Sequence, residues 1–105
     1  MIGLIAGIPD GYKVKSEEDV TIAGSSTAFT TIPADCIAAF CRAGKEGVIR
    51  VTSSGNTPTA SKGFPVLQYE TFLVESPLGV AQFRAIREGS TSVTLSVLYL
   101  EKGLP

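Results

Sequence analysis

The chain contains neither histidine nor tryptophan, and only one of its 105 residues is methionine. Without histidine it lacks the commonest general base, the commonest zinc ligand and the side chain that usually titrates near neutral pH. Its many serine and threonine hydroxyls therefore have no imidazole to activate them as nucleophiles. We predict that the protein is not an enzyme, and that it has no catalytic residue, no metal site and no cofactor.

Charge is also scarce. Charged residues make up 18% of the sequence, below the roughly 25% of a typical globular protein. The net charge is −1, and no basic stripe indicates nucleic-acid binding. With 44% hydrophobic residues the chain is predicted to fold rather than to be disordered. A surface this poor in charge favours association, so we predict a homo-oligomer or a place in a larger assembly.

The two cysteines, Cys36 and Cys41, form no CxxC motif. In a strand their odd spacing would put them on opposite faces, so they could not pair with each other. We predict two buried free thiols, which fits folding in a reducing cytoplasm.

The opening stretch, MIGLIAGIP, is apolar, but it is short and has no basic start, which predicts neither a signal peptide nor a membrane span. Chain ends normally fray, so an apolar end has to be held by its own core or by a neighbour. Two alternatives stay open: an edge strand of the same domain, or an arm that adds to an adjacent subunit. The predicted partner-binding residues of this arm are Ile2, Leu4, Ile5 and Ile8.

Glycines and prolines occur throughout the chain. The segments between them are short, alternate apolar with polar residues, and are rich in β-branched and aromatic residues. We predict an arm and loop over residues 1–18, followed by a single domain over 19–105. In segment 36–43, where alanines also suit a helix, we favour a strand. The predicted strands cover residues 19–23, 27–32, 36–43, 47–52, 68–76, 80–88 and 92–100, with the partner of 47–52 beginning around Val66. About seven short strands at this spacing indicate an all-β fold, an antiparallel β-sandwich of jelly-roll or immunoglobulin-like type.

The densest run of charge is Glu17, Glu18 and Asp19. Adjacent carboxylates on an extended segment point in opposite directions, so they make a poor acid–base pair. We therefore predict that this run forms a solvated face.

The stretch TSSGNTPTASKG, residues 52–63, resembles a phosphate-binding loop only superficially. Such a loop needs a second glycine directly before the lysine and a helix directly after it, whereas Pro65 follows here. The residues instead suit turns, because glycine and asparagine tolerate positive φ. Two readings stay open: a plain connection between strands, or a contact loop. The contact residues of the second reading are Gly55, Asn56, Thr57, Pro58 and Thr59.

Three segments in order carry a resemblance to a known group of proteins: TIPADCIAAF at residues 31–40, GVIRVTSSGNTPTASKGFPV at 47–66 and AQFRAIREGSTSVTLSVLYL at 81–100. Their order and spacing resemble those of small virion proteins of tailed bacteriophages, some of which are capsid decoration or cement proteins. Two features depart from that pattern. Ser53 and Ser54 stand where such proteins often carry an acidic pair, and the first 18 residues match nothing in the group.

The resemblance implies a β-sandwich displayed on, or built into, a virion assembled in the host cytoplasm. Its partners would be the major capsid protein or other virion proteins, with a homotrimer as one arrangement, and neither nucleic acid nor membrane. A cement protein of this kind stabilises a head by binding several capsid subunits at once, so that modest contacts act together. Two alternatives remain open: a tail, neck or head-fibre component, and a surface carbohydrate-binding module.

Overall fold

Seven strands and one short helix make up residues 8–103, the part of the chain that the structure, a computed structural model, describes. The elements, in chain order, are β1 (Tyr12–Ile22), β2 (Ala38–Ala43), β3 (Ile49–Thr52), β4 (Phe64–Val66), β5 (Thr71–Val74), α1 (Pro77–Gln82), β6 (Arg84–Arg87) and β7 (Val93–Lys102). The predicted all-β fold is confirmed. The segment 36–43, for which we favoured a strand over a helix, contains β2.

The strands form two antiparallel sheets, with the orders β1-β7-β2-β5 and β4-β3-β6. Pairing is nested along the chain: β1 pairs with β7, β2 with β5, and β3 with β4. Thr27 completes the series by exchanging two backbone hydrogen bonds, of 2.8 and 2.9 Å, with Ala85 of β6. The chain is thus one long hairpin folded back over itself, which is the arrangement of a jelly roll. An immunoglobulin-like sandwich would instead hold β1, β2, β4 and β5 in one sheet.

The main core lies between the two sheets. Alternate residues of β7 point into it, as the sequence predicts, and all four are buried: Val93, Leu95, Val97 and Tyr99. Burying a side chain of this size contributes about 1.5–3 kcal/mol. The clean alternation of this strand therefore determines which face of the larger sheet is covered.

Two buried phenylalanines, Phe29 and Phe83, stack in the core beside a third, the half-buried Phe72. Phe29 stacks on Phe83, with ring centroids 4.1 Å apart, and Phe72 lies on the other side of Phe83 at 6.0 Å. The ring of Phe29 also meets Tyr99 edge-on at 5.7 Å. Aromatic pairs in these geometries stabilise beyond the area that they bury. Phe29 thereby anchors the long connection between β1 and β2 to β7 and to the end of α1.

A second apolar cluster covers part of the outer face of the four-stranded sheet. Its buried members are Ala38, Phe40 and Leu100, and Ile8, Tyr12, Leu73 and Leu98 pack against them. At the same end of the sheet the Gly103 N–H donates to the Gly11 carbonyl at 2.7 Å. The two ends of the described chain therefore lie side by side at one pole of the sandwich.

Three local predictions are wrong. β1 begins at Tyr12, so the last part of the arm and loop predicted for residues 1–18 is strand, and its charged side chains line one edge of the sheet. Residues 27–32 form no strand beyond the bridge at Thr27, because Phe29 turns into the core there. Residues 80–82 belong to α1, because the Ser76 hydroxyl caps the helix and Pro77 begins it.

Candidate functional site

An apolar cleft of about 470 Å³ opens between β4 and β5, which are edge strands of the two sheets. We call it the edge cleft. Its volume lies within the roughly 300–1,000 Å³ of common ligand pockets. Six apolar side chains form much of its wall: Val51, Phe64, Val66, Phe72, Val74 and Phe83.

The cleft is open because few side chains cover the inner face of β4. Val66 and Phe64 lie on the same face of β4, since side chains two residues apart share a face. Val66 is 2% exposed and joins the core, whereas Phe64 is 72% exposed. An inward-facing phenylalanine so exposed shows that the two sheets separate at this edge and leave the apolar wall in contact with solvent.

Helix α1 closes one end of the edge cleft. The Gly79 N–H donates to the Ser76 hydroxyl at 2.8 Å, which caps the helix. A Cβ at Gly79 would lie 2.9 Å from the Ser76 Oγ and 3.1 Å from the Val74 Cγ1. Only glycine lets the helix approach β5 this closely, so this wall of the cleft depends on a single small residue.

Other large apolar side chains in the same stretch of chain as Phe64 are also exposed. Besides Phe64, the side chain of Leu78 in α1 is 65% exposed, and those of Leu67 and Tyr69, in the connection from β4 to β5, are 53% and 56% exposed. Arg42 holds Tyr69 in place, since its guanidinium lies 5.6 Å from the ring centroid and its Nε donates to the Tyr69 carbonyl at 3.2 Å. Segment 64–78 therefore presents four large apolar residues to solvent.

The predicted contact loop, residues 53–63, begins beside the cleft. Four of its five candidate residues are exposed, Gly55, Asn56, Thr57 and Thr59, whereas the Pro58 side chain is fully buried and so serves as an anchor. The Thr52 hydroxyl donates to the Asn56 carbonyl at 2.6 Å, and Thr59 and Lys62 exchange backbone hydrogen bonds of 2.9 and 3.2 Å. The loop is thus internally braced, and it offers four of the five predicted residues as surface.

The far end of this loop is clamped by Arg50. Its Nε lies 2.7 Å from a carboxylate oxygen of Glu88, and its guanidinium also donates to the Gly63 carbonyl at 3.2 Å. Gly63 has a φ of +122°, and a Cβ there would meet Arg50, Pro58 and Val51 at 3.2 Å. A larger residue at position 63 would therefore disturb the entry into β4.

Of the predicted arm residues, only Ile8 belongs to the described part of the chain. It is partly buried and packs on the outer cluster of the four-stranded sheet. Ile2, Leu4 and Ile5 lie outside the described residues.

On the side of the sandwich remote from the cleft, Glu18 holds the β1–β2 connection against the sheet, and we call this the sealed side. We had predicted that Glu18 lies on a solvated face. Its carboxylate faces inward and accepts hydrogen bonds from the Tyr99 and Thr30 hydroxyls and, at 2.8 and 3.1 Å, from the hydroxyl and N–H of Thr31. Burial alone would raise the pKa of Glu18, but these hydrogen bonds outweigh it and lower the pKa to about 2. The solvated-face prediction is wrong for this one residue.

Few polar groups line the cleft that could do chemistry. Glu75 lies at its rim and accepts a hydrogen bond from the Tyr12 hydroxyl at 3.0 Å, a contact that raises the pKa of Tyr12.

Both thiols are buried and free, as predicted, and burial raises the pKa of Cys36 and of Cys41. Within residues 8–103 no three potential metal ligands of the His, Cys, Asp or Glu type come together. The chemistry that the cleft does offer is apolar contact.

Fold and site together define a small jelly-roll sandwich that is sealed along one side and open to an apolar cleft along the other. No known protein family, curated protein or solved structure matches this chain. Across residues 8–103, no helix is long and apolar enough to cross a membrane. The resemblance to virion proteins therefore stays a prediction.

Sequence reasoning missed the edge cleft entirely. One signal was available: Ser76 followed by Pro77 is a helix start, and it could have indicated the turn that closes the cleft. The exposure of Phe64 had no such signal, because it depends on which two strands end up at the sheet edges.

Proposed function

We propose that the protein is a structural component of the virion of a tailed bacteriophage, and that it acts as a capsid decoration or cement protein. The observation that carries the proposal is the exposure of Leu67, Tyr69 and Leu78 within one short segment of a very small domain. Apolar side chains concentrated in this way are typical of surfaces that bind another protein. The resemblance carried by the three segments within residues 31–100 supplies the kind of partner, a capsid protein or another virion protein.

The sandwich suits this role physically. Each square ångström of apolar surface that is covered contributes about 25 cal/mol, so a few such residues give a modest contact. On a symmetric lattice many copies bind together, and modest contacts then resist expansion of the shell collectively. Jelly rolls occur in viral coats and also in lectins, so the fold by itself does not choose between them.

Binding to heads tests the proposal. Purified protein is mixed with heads assembled from the major capsid protein of the phage that encodes it, and the bound fraction is measured by sedimentation. We expect saturation at a fixed ratio to capsid subunits and a higher temperature of head disruption. Leu78→Ser should weaken binding, whereas Val14→Ser, 40% exposed on the opposite edge strand β1, should not.

Two results would overturn the decoration role. Immunogold labelling confined to tails, necks or fibres would move the protein elsewhere in the virion. A specific hit on a glycan array, lost in Tyr69→Ala, would favour the carbohydrate-binding alternative, because sugar sites use exposed aromatic rings such as Tyr69.

A further inference from the structure

The edge cleft has the features of a receptor for an extended strand. β5 is the last strand of its sheet within residues 8–103, so the outer row of its backbone N–H and C=O groups has no strand beside it. Such an edge is a template for pairing with another segment. Because Phe72 and Val74 of β5 also line the cleft, a strand added at this edge would place alternate side chains against an apolar wall.

The described chain begins beside this edge. Ile8 packs on the same outer cluster as Leu73 of β5, and the Tyr12 hydroxyl reaches Glu75 at 3.0 Å. Leu73 and Glu75 both belong to the rim of the edge cleft. Ile8 therefore lies on the same face of the sheet as Leu73, at the end of the sheet where Tyr12 meets Glu75.

Residues 1–7, MIGLIAG, have the right length and chemistry for the cleft. They carry no charged side chain and three large aliphatic ones. Extended, they would span about 23 Å, against about 13 Å for the four residues of β5. A segment of the same chain would have to run parallel to β5, because it ends where β5 ends, whereas a segment from a second copy could pair in either direction.

We propose that the edge cleft is the receptor for residues 1–7 of this protein, which add a strand to the free edge of β5 and cover Phe64. The same contacts can be made within one chain or by exchange between two copies, the relationship seen in domain swapping. The inference does not depend on the proposed virion role, because it concerns only this chain.

Disulfide trapping tests it. Ile2, Leu4 and Ile5 are each replaced by cysteine and combined with Ser53→Cys, since Ser53 is exposed and lines the cleft. The control is Thr21→Cys, an exposed site on the opposite edge strand β1. The native cysteines are buried and do not compete. We expect at least one pair with position 53 to oxidise about tenfold faster or more than its pair with position 21, because docking raises the effective concentration.

The product shows which form is present: a cross-linked monomer means insertion in the same chain, and a covalent dimer means exchange. Phe64→Ser should slow the trapping and Phe64→Leu should restore it. Equal rates at positions 53 and 21 for all three arm cysteines would overturn the proposal, whatever the outcome with phage heads. So would trapping that Phe64→Ser leaves unchanged.

Discussion

The two sides of the sandwich differ in how fully their apolar residues are covered. On the sealed side, the connection between β1 and β2 is held by Phe29 in the core, by the Thr27 bridge to β6 and by the Glu18 carboxylate, which binds Thr30 and Thr31. On the open side, β4 and β5 end their sheets with Phe64 in solvent. The difference is one of coverage: the long connection closes one side of the sandwich, whereas an apolar wall stays in contact with solvent on the other side.

The sharpest test of this division is Phe83→Ala. Phe83 is 1% exposed and lies between Phe29 and Phe72, so it connects the sealed side to the cleft. Removing it should cost about 3–5 kcal/mol, enough to unfold much of a marginally stable domain. Urea denaturation measures the loss, and Leu67→Ala, at a side chain that is 53% exposed, should cost less than about 1 kcal/mol. Similar losses from the two variants would contradict the division.

Gly44→Ala tests how tightly the end of β2 packs against β7, on the side away from the edge strand β5. A Cβ there would lie 2.7 Å from the Thr94 carbonyl oxygen, a backbone atom that cannot easily move. We expect a loss of about 1–3 kcal/mol. Gly89→Ala is the matched control, because nothing lies within 4 Å of its Cβ, and it should be nearly neutral. If Gly44→Ala leaves the thermal unfolding temperature unchanged, the backbone at this position moves more easily than the contacts suggest.

Glu18→Gln tests the carboxylate seal and its pH dependence. The pKa of Glu18 is lowered from its usual 4.5 to about 2. Its contribution, about 1–2 kcal/mol after solvent screening, is therefore complete above the unfolded-state pKa and disappears as the pH falls toward 2. Unfolding free energies should differ between wild type and Glu18→Gln at pH 7 and converge at low pH. Glu17→Gln, an exposed neighbour, should follow wild type throughout.

The smallest stability effect is expected from Leu78→Ser on the open side. Leu78 is 65% exposed, so the unfolding free energy should change by no more than about 0.5 kcal/mol. Self-association at high concentration should fall, and static light scattering measures it. A clear loss of stability would show that Leu78 is covered in the protein in solution.

Much of the sandwich could be predicted from local patterns. The alternation of β7 and the β-branched run of β3 place these strands correctly, because one face of each is buried. β1 was partly missed because its outward residues are charged and its inward Glu18 is polar. Its hydrogen-bond donors come from Thr30 and Thr31 in another segment, so no local pattern reveals that a carboxylate is tolerated there.

The edge cleft could not be predicted in the same way. Phe64 reads as a core residue in any alternation pattern, and only the final strand order leaves it uncovered. Pro58, predicted as a contact residue, is buried because the loop folds back on itself, which turn propensities do not specify. Long-range strand order decides the exposure of Phe64, and the conformation of the loop decides the burial of Pro58.

The hydrogen bond between Gly103 and Gly11 has a practical consequence for engineering. Joining residues 103 and 11 through a short linker and opening the chain in residues 53–63 would give a circular permutant that keeps every strand pair. Conversely, two cargo domains joined directly at Gly11 and at Gly103 would leave the same pole of the sandwich, next to each other.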